Sequence, residues 1–112
     1  MPRTKKPATV QGQIDRMVKR IVNRFAPEKI ILFGSQARGD AGPDSDVDLL
    51  VVMDFEGSVL ETMVDLRGVL NGIAVPVDIL VTKPDDFAWR KDVVGTIEWP
   101  AFHEGKMLYA RT

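Results

Sequence analysis

Gly34-Ser35-Gln36-Ala37-Arg38-Gly39, followed by Ser45-Asp46-Val47-Asp48-Leu49-Leu50-Val51-Val52, is the stretch on which the reading of this chain turns. It sets two carboxylates one residue apart at the entrance to an apolar strand, just beyond a small-residue turn that admits a phosphate. At about 4 Å and an effective dielectric near 20, two such charges repel by roughly 4 kcal/mol. A chain that places them beside its core is therefore expected to hold a cation there. Side chains alternate along a strand, so Asp46 and Asp48 project to one side while Val47 points into packing. Few hard oxygen ligands of this kind suit Mg²⁺, which keeps several waters and is held by one or two carboxylates together with substrate phosphates. Mn²⁺ is the natural substitute.

The flanking pattern sets the architecture. Upstream, Val10, Ile14, Met17, Val18, Ile21, Val22 and Phe25 recur at helical spacing, with polar residues between them and Pro27 closing the run. Ile30 to Phe33 reads as a short buried strand ended by Gly34, and Val47 to Met53 as a longer one apolar on both faces after Asp48. Downstream, Ser58 with Glu61 has capping-box form and opens a helix carrying Leu60, Met63, Val64 and Leu70, with Asn71-Gly72 as its stop. Val75 to Val81 is a third strand. Thr82 with Asp85 repeats the capping-box spacing before a helical segment from Phe87 to about Glu98, which Pro100 is expected to break. Lys106 to Ala110 is either a final edge strand or a docked terminal stretch.

This order predicts an α/β fold in which a small β-sheet is covered by helices. Gly34-Ser35 leaves the first strand where Asp46 enters the second, so the two groups adjoin only if those strands run antiparallel side by side. The sheet is therefore expected to be mixed. A chain of 112 residues fits one domain, assigned to residues 9–112, behind a flexible basic tail over residues 1–8 that contains Arg3, Lys5 and Lys6. Little room remains for a separate substrate domain. Cysteine is absent, which removes disulfides and thiolate metal sites together. No apolar stretch is long enough to span a bilayer, so a cytoplasmic location and no membrane partner are expected. A net charge of −1 supplies no general attraction for nucleic acid, and direct nucleic-acid binding is not expected.

A third acid, Asp78, interrupts the apolar run Val75-Pro76-Val77-Asp78-Ile79-Leu80-Val81, where a charge is costly unless something compensates it. Metal ligation and general-base duty both do so. With metal-bridged phosphates beside it, an ionised Asp near an acceptor hydroxyl permits in-line displacement at a nucleotide α-phosphate. Backbone N–H groups after Ser35 form an anion-binding helix start. Arg38 contacts either phosphate or a carboxylate of its own loop, and Ser45 either donates to phosphate or caps the turn before Asp46. Phe87, Trp89, Trp99, Phe102 and Tyr109 crowd the C-terminal quarter and are read mainly as core. His103, the single histidine, is read as a surface residue rather than a ligand.

Gly34-Ser35-Gln36-Ala37-Arg38-Gly39, Ser45-Asp46-Val47-Asp48-Leu49 and Val77-Asp78-Ile79-Leu80 together resemble the signature of the minimal nucleotidyltransferases in the DNA polymerase beta-like superfamily. The resemblance spans roughly residues 10 to 110, and nothing after Pro84 carries a comparably specific marker. It implies the polymerase beta-like nucleotidyltransferase fold, Asp46, Asp48 and Asp78 as catalytic and metal-holding acids, and Gly34, Ser35, Arg38 and Ser45 at the nucleotide. It further implies Mg²⁺-dependent transfer of AMP from ATP. Proteins of this short type look like the antitoxin of a pair whose partner is a HEPN-type toxin, adenylylated on a tyrosine. Two rivals stand beside that expectation: an antitoxin that neutralises by binding alone, and a nucleotidyltransferase acting on a small molecule, with a homo-oligomer completing the substrate wall.

Overall fold

The computed structural model describes residues 9–42 and 45–111; the tail assigned to residues 1–8 lies outside them. Thr9 caps helix α1 (Val10–Phe25) by accepting the Gly12 N–H at 3.0 Å, and the apolar spacing buries Ile14, Met17 and Ile21. The helix ends at Ala26, in the left-handed region at φ 47°, before Pro27. Strand β1 (Lys29–Phe33), the single helical turn α2 (Ser35–Arg38) and strand β2 (Val47–Val52) follow. Helix α3 (Val59–Gly68) then leads to β3 (Val77–Thr82), helices α4 (Pro84–Arg90) and α5 (Glu98–Glu104), and strand β4 (Lys106–Ala110). Among the described residues no helix is long and apolar enough to cross a membrane.

The strands form one sheet in the order β3-β2-β1-β4. β1 pairs antiparallel with both β2 and β4, whereas β2 pairs parallel with β3, so the sheet is mixed as expected. Its central strand β2 is apolar on both faces because both are covered. Leu49 and Val51 pack with Ile30, Leu32 and the buried side of α1 and α3, and Leu50 and Val52 pack with Ile31, Phe33, Phe87 of α4 and Ala101 of α5. Each of these strand side chains, removed from water, contributes about 1.5–3 kcal/mol. The turn from α5 into β4 is tight: a Cβ on Gly105 would strike the carbonyl oxygens of Ala101 and Leu32. The C-terminal stretch is thus an edge strand.

Several local expectations change. Ser58 and Glu61 do form the reciprocal capping box, but α3 ends at Gly68, before Asn71-Gly72. Leu60 and Val64 stand 70% and 61% exposed, because the buried face of α3 runs through Thr62 and Leu66 instead. Thr82 does not cap α4; the cap position is Lys83, followed by Pro84, and the Thr82 hydroxyl donates to Glu98 at 2.9 Å. Pro100 breaks nothing, since it occupies the first turn of α5, where a missing N–H costs no helical bond. Of the C-terminal aromatic residues only Phe87 is fully buried; Tyr109 packs at the core margin, Trp99 is half-buried, and Trp89 and Phe102 are exposed. Two helices that lie across one sheet face leave their outer sides to solvent, which is why aromatic content alone misassigns them. His103 sits at the surface against the Trp99 ring, 4.7 Å between centroids.

Candidate active site

Antiparallel pairing of β1 and β2 sets Phe33 opposite Asp48, so the chain leaving β1 passes over the start of β2. Gly34 makes that passage at φ 74°, and a Cβ there would drive into the Asp48 carboxylate. Only glycine fits on both counts. α2 begins at once: the Gly34 carbonyl accepts the N–H groups of Ala37 and Arg38, each at 3.1 Å. The N–H groups ahead of these have no carbonyl within the helix to bond, as at any helix start. Ser35 opens this turn beside Asp48.

The loop into β2 is tied to α2. The Gln36 side chain donates to the Ser45 carbonyl at 3.4 Å, and the Gly42 N–H donates to Ser45 Oγ at 2.8 Å. Ser45 is thus in its turn-capping role. Asp46 stands just before β2, exposed, and Asp48 is half-buried within it. Parallel pairing of β2 with β3 places Asp78 directly beside Asp48. Asp78 is exposed near the start of edge strand β3, although Ile79, Val81 and Thr82 of the same strand are buried, so the burial cost read from the apolar run around it does not arise.

Burial of its carboxyl, then the charges of Asp78 and Asp46, push the pKa of Asp48 above the ordinary aspartate value, and Arg38 opposes this. Arg38 donates from Nε to Asp40 at 3.2 Å, with both side chains at least half exposed. Such a pair is worth about 0–1 kcal/mol, so little holds the guanidinium away from an arriving anion. The structure therefore brings Gly34, Asp46, Asp48 and Asp78 together, with Ser35 next in the chain after Gly34, Arg38 close enough to act on the Asp48 charge, and Ser45 bonded within the loop.

Asp48 and Asp78 open into a cleft of ≈ 400 Å³ whose remaining walls are Phe33, Ile79 and Leu80 of the sheet, Met63 and Arg67 of α3, and Ile97 before α5. Arg67 and Ile97 were not singled out from the sequence, and Met63 reads there only as an apolar residue of α3. Met63 and Arg67 are four residues apart on one helix face, a spacing visible in the sequence, but only the position of α3 against edge strand β3 turns that face to the acids. Arg67 also donates to the Val77 carbonyl at 3.3 Å, pinning the residue before Asp78.

Among the described residues no three His, Cys, Asp or Glu side chains stand close enough to hold a metal by themselves. The donors that are present nevertheless fit a divalent cation whose shell is completed by a ligand. They are carboxylate oxygens, and the pKa of Asp48 is raised by burial first and then by the charges of Asp78 and Asp46.

A mixed sheet of this order, with a glycine turn touching a strand carboxylate and a second carboxylate in register beside it, is the arrangement that the resemblance to nucleotidyltransferases implies. The nucleotidyltransferase domain model matches residues 14–98, and the chain belongs to that family. A protein of Methanocaldococcus jannaschii, provisionally named a protein adenylyltransferase, is 31% identical over 108 residues, covering 85% of this chain and 97% of its own. A crystal structure of a provisionally named nucleotidyltransferase from Sulfolobus solfataricus aligns at TM-score 0.62 and 25% identity, over 96% of this chain and 91% of that one. The toxin–antitoxin MntA–HpeT, in mutant form, has a chain of the same fold at TM-score 0.62 and 15% identity, covering 88% of this chain and 73% of that one. So has a toxin–antitoxin solved with AMP-PNP, at TM-score 0.54 and 18% identity, over 93% and 76%.

Proposed function

We propose that this nucleotidyltransferase moves AMP from ATP to a hydroxyl group of a partner protein, a toxin that the transfer silences. The observation that carries the reading is the register pairing of Asp48 and Asp78 in one cleft, with the Gly34 turn packed against the Asp48 carboxylate. Asp46 and Asp48 would hold a divalent cation, Mg²⁺ or in its place Mn²⁺, which when bound neutralises triphosphate charge and polarises the α-phosphorus. The first turn of α2 and the Ser35 hydroxyl bind phosphate oxygens. Arg38 leaves Asp40 for the same anion, and Ser45 keeps the loop in place. Exposure at the sheet edge favours Asp78 as the base rather than a ligand. It takes the acceptor proton as the hydroxyl oxygen bonds to the α-phosphorus, and the bond to the β-phosphate oxygen breaks, releasing pyrophosphate.

Apolar rims favour a protein as acceptor. Met63 continues along α3 into exposed Leu60 and Val64, and Ile97 continues into exposed Val93 and Val94, the last 79% exposed. A small polar acceptor has no use for these surfaces. The toxin–antitoxin structures of the same fold support a toxin as that protein, and the family resemblance supports a tyrosine of a HEPN-type toxin. The same rims also suit neutralisation by binding alone, so the two readings are separated by chemistry. The protein co-purified with its partner, supplied with Mg²⁺ and α-labelled ATP, is expected to label that partner and add the mass of AMP. The Asp46→Asn/Asp48→Asn variant is expected to do neither. Equal labelling by both proteins refutes the role of the acids; equal neutralisation by both favours binding alone.

A further inference from the structure

The sheet face that bears Asp48 and Asp78 holds another carboxylate at its opposite end. Glu98, the first residue of α5, is 3% exposed. Its Oε2 accepts the Thr82 hydroxyl at 2.9 Å and lies 3.5 Å from Nη1 of Arg90. Thr82 is the last residue of β3 and Arg90 the last of α4, so one oxygen joins the ends of two elements to the beginning of a third. A carboxylate this deeply buried is costly without such partners, which makes the junction resistant to movement. Thr96 closes the intervening turn: its hydroxyl lies 2.8 Å from the carbonyl oxygens of Arg90 and Val93 and accepts the Trp99 N–H at 3.2 Å.

Both ends of this junction reach the cleft. Ile97, the backbone neighbour of Glu98, is one wall. Asp78, Leu80 and Thr82 share one face of β3 at successive strand steps, so the grip on Thr82 acts on the strand that carries the floor. We infer that Glu98 is a positioning residue: its buried carboxylate, tied to Thr82 and Arg90, sets the gap between the Ile97 wall and the Asp78–Leu80 floor and thereby admits the acceptor. This rests on the proposed reaction, in which the acceptor enters beside Asp78. The nucleotide side, built from β1, α2 and β2, contains none of the partners of Glu98.

The test compares wild type with Glu98→Ala, Glu98→Gln, Thr82→Val and Ile97→Ala. Steady-state transfer is measured at varied acceptor concentration, and AMP-PNP binding by calorimetry. Glu98→Ala, Thr82→Val and Ile97→Ala are expected to raise the acceptor KM by about tenfold, with AMP-PNP affinity within about twofold of wild type. Glu98→Gln, which keeps an oxygen for Thr82, is expected to recover most of the loss. Unchanged acceptor KM with a lowered melting temperature overturns the inference, and so does a parallel fall in AMP-PNP affinity. Should Glu98→Ala not fold, Thr82→Val and the surface change Ile97→Ala decide by the same criteria. Hydrogen exchange over residues 91–99 needs no transfer, so it separates failure of this inference from failure of the proposed reaction. It is expected to quicken in Thr82→Val, and unchanged exchange overturns the junction itself.

Discussion

At one end of a single sheet face stand Asp48 and Asp78; at the other, four residues along the same strands, Thr82 meets Glu98. Asp48 is only half-buried, yet its carboxyl is pushed above the ordinary range by burial and by two neighbouring acids. Glu98 is almost wholly buried and has a hydroxyl donor and a guanidinium beside it. The deeper carboxylate is thus supplied with partners, and the shallower one faces like charge. Depth alone does not separate a structural acid from a working one. What separates them is whether the protein itself provides the counter-charge or leaves it to be brought by a ligand.

Removing the unbalanced charge has the largest expected effect. Asp46→Asn/Asp48→Asn is expected to lower AMP transfer by at least about a thousandfold, read with labelled ATP. Gly34→Ala disturbs the same end through the backbone. The added Cβ meets the Asp48 carboxylate at a positive φ, so transfer is expected to fall by about a hundredfold and stability by about 1–3 kcal/mol in urea unfolding. At the balanced end the sign for stability is fixed by lost partners: Glu98→Ala is expected to destabilise by about 1–3 kcal/mol in the same assay.

Asp48→Asn is expected to act on stability in the opposite direction. The folded chain binds the Asp48 proton more tightly than the unfolded chain does, so ionisation weakens the fold as pH rises through the raised pKa. The variant should therefore melt above wild type at neutral pH, and the gap should close below the ordinary aspartate value of 3.8. A lower melting temperature at neutral pH would contradict the charge imbalance. The smallest effect is expected from Asp40→Ala. Its ion pair with Arg38 is exposed, and stability should change by less than about 0.5 kcal/mol.

Features written in contiguous residues were the legible ones. The spacing from Ile14 to Ile21 gave α1, the unbroken apolar run gave β2, and the Ser58–Glu61 pair gave the start of α3. Placement of Gly34-Ser35 and Asp46 at facing strand ends was enough to require antiparallel neighbours, hence a mixed sheet. What was illegible depends on partners distant in the chain. Thr82 has the spacing of a cap, but Glu98, sixteen residues on, takes its hydroxyl. Asp78 looks stranded in a hydrophobic run, and only the packing around β3 shows that its position is exposed while Ile79 beside it is buried. Arg67 and Ile97 become cleft residues through the packing of α3 and α5 on the sheet, which no local pattern encodes.

Register partnership between Asp48 and Asp78 bears on how the chain finds its fold as well as on what it does afterwards. Sliding β3 by one residue against β2 would turn its alternating side chains over, sending Asp78 into the core beneath α1 and α3 and Ile79 and Val81 out of it. Such a misaligned sheet would have to bury an unpartnered charge and lose two side chains from that core. The acid in the cleft thereby doubles as a safeguard against mispairing during folding, at the parallel junction where no hairpin turn fixes the alignment.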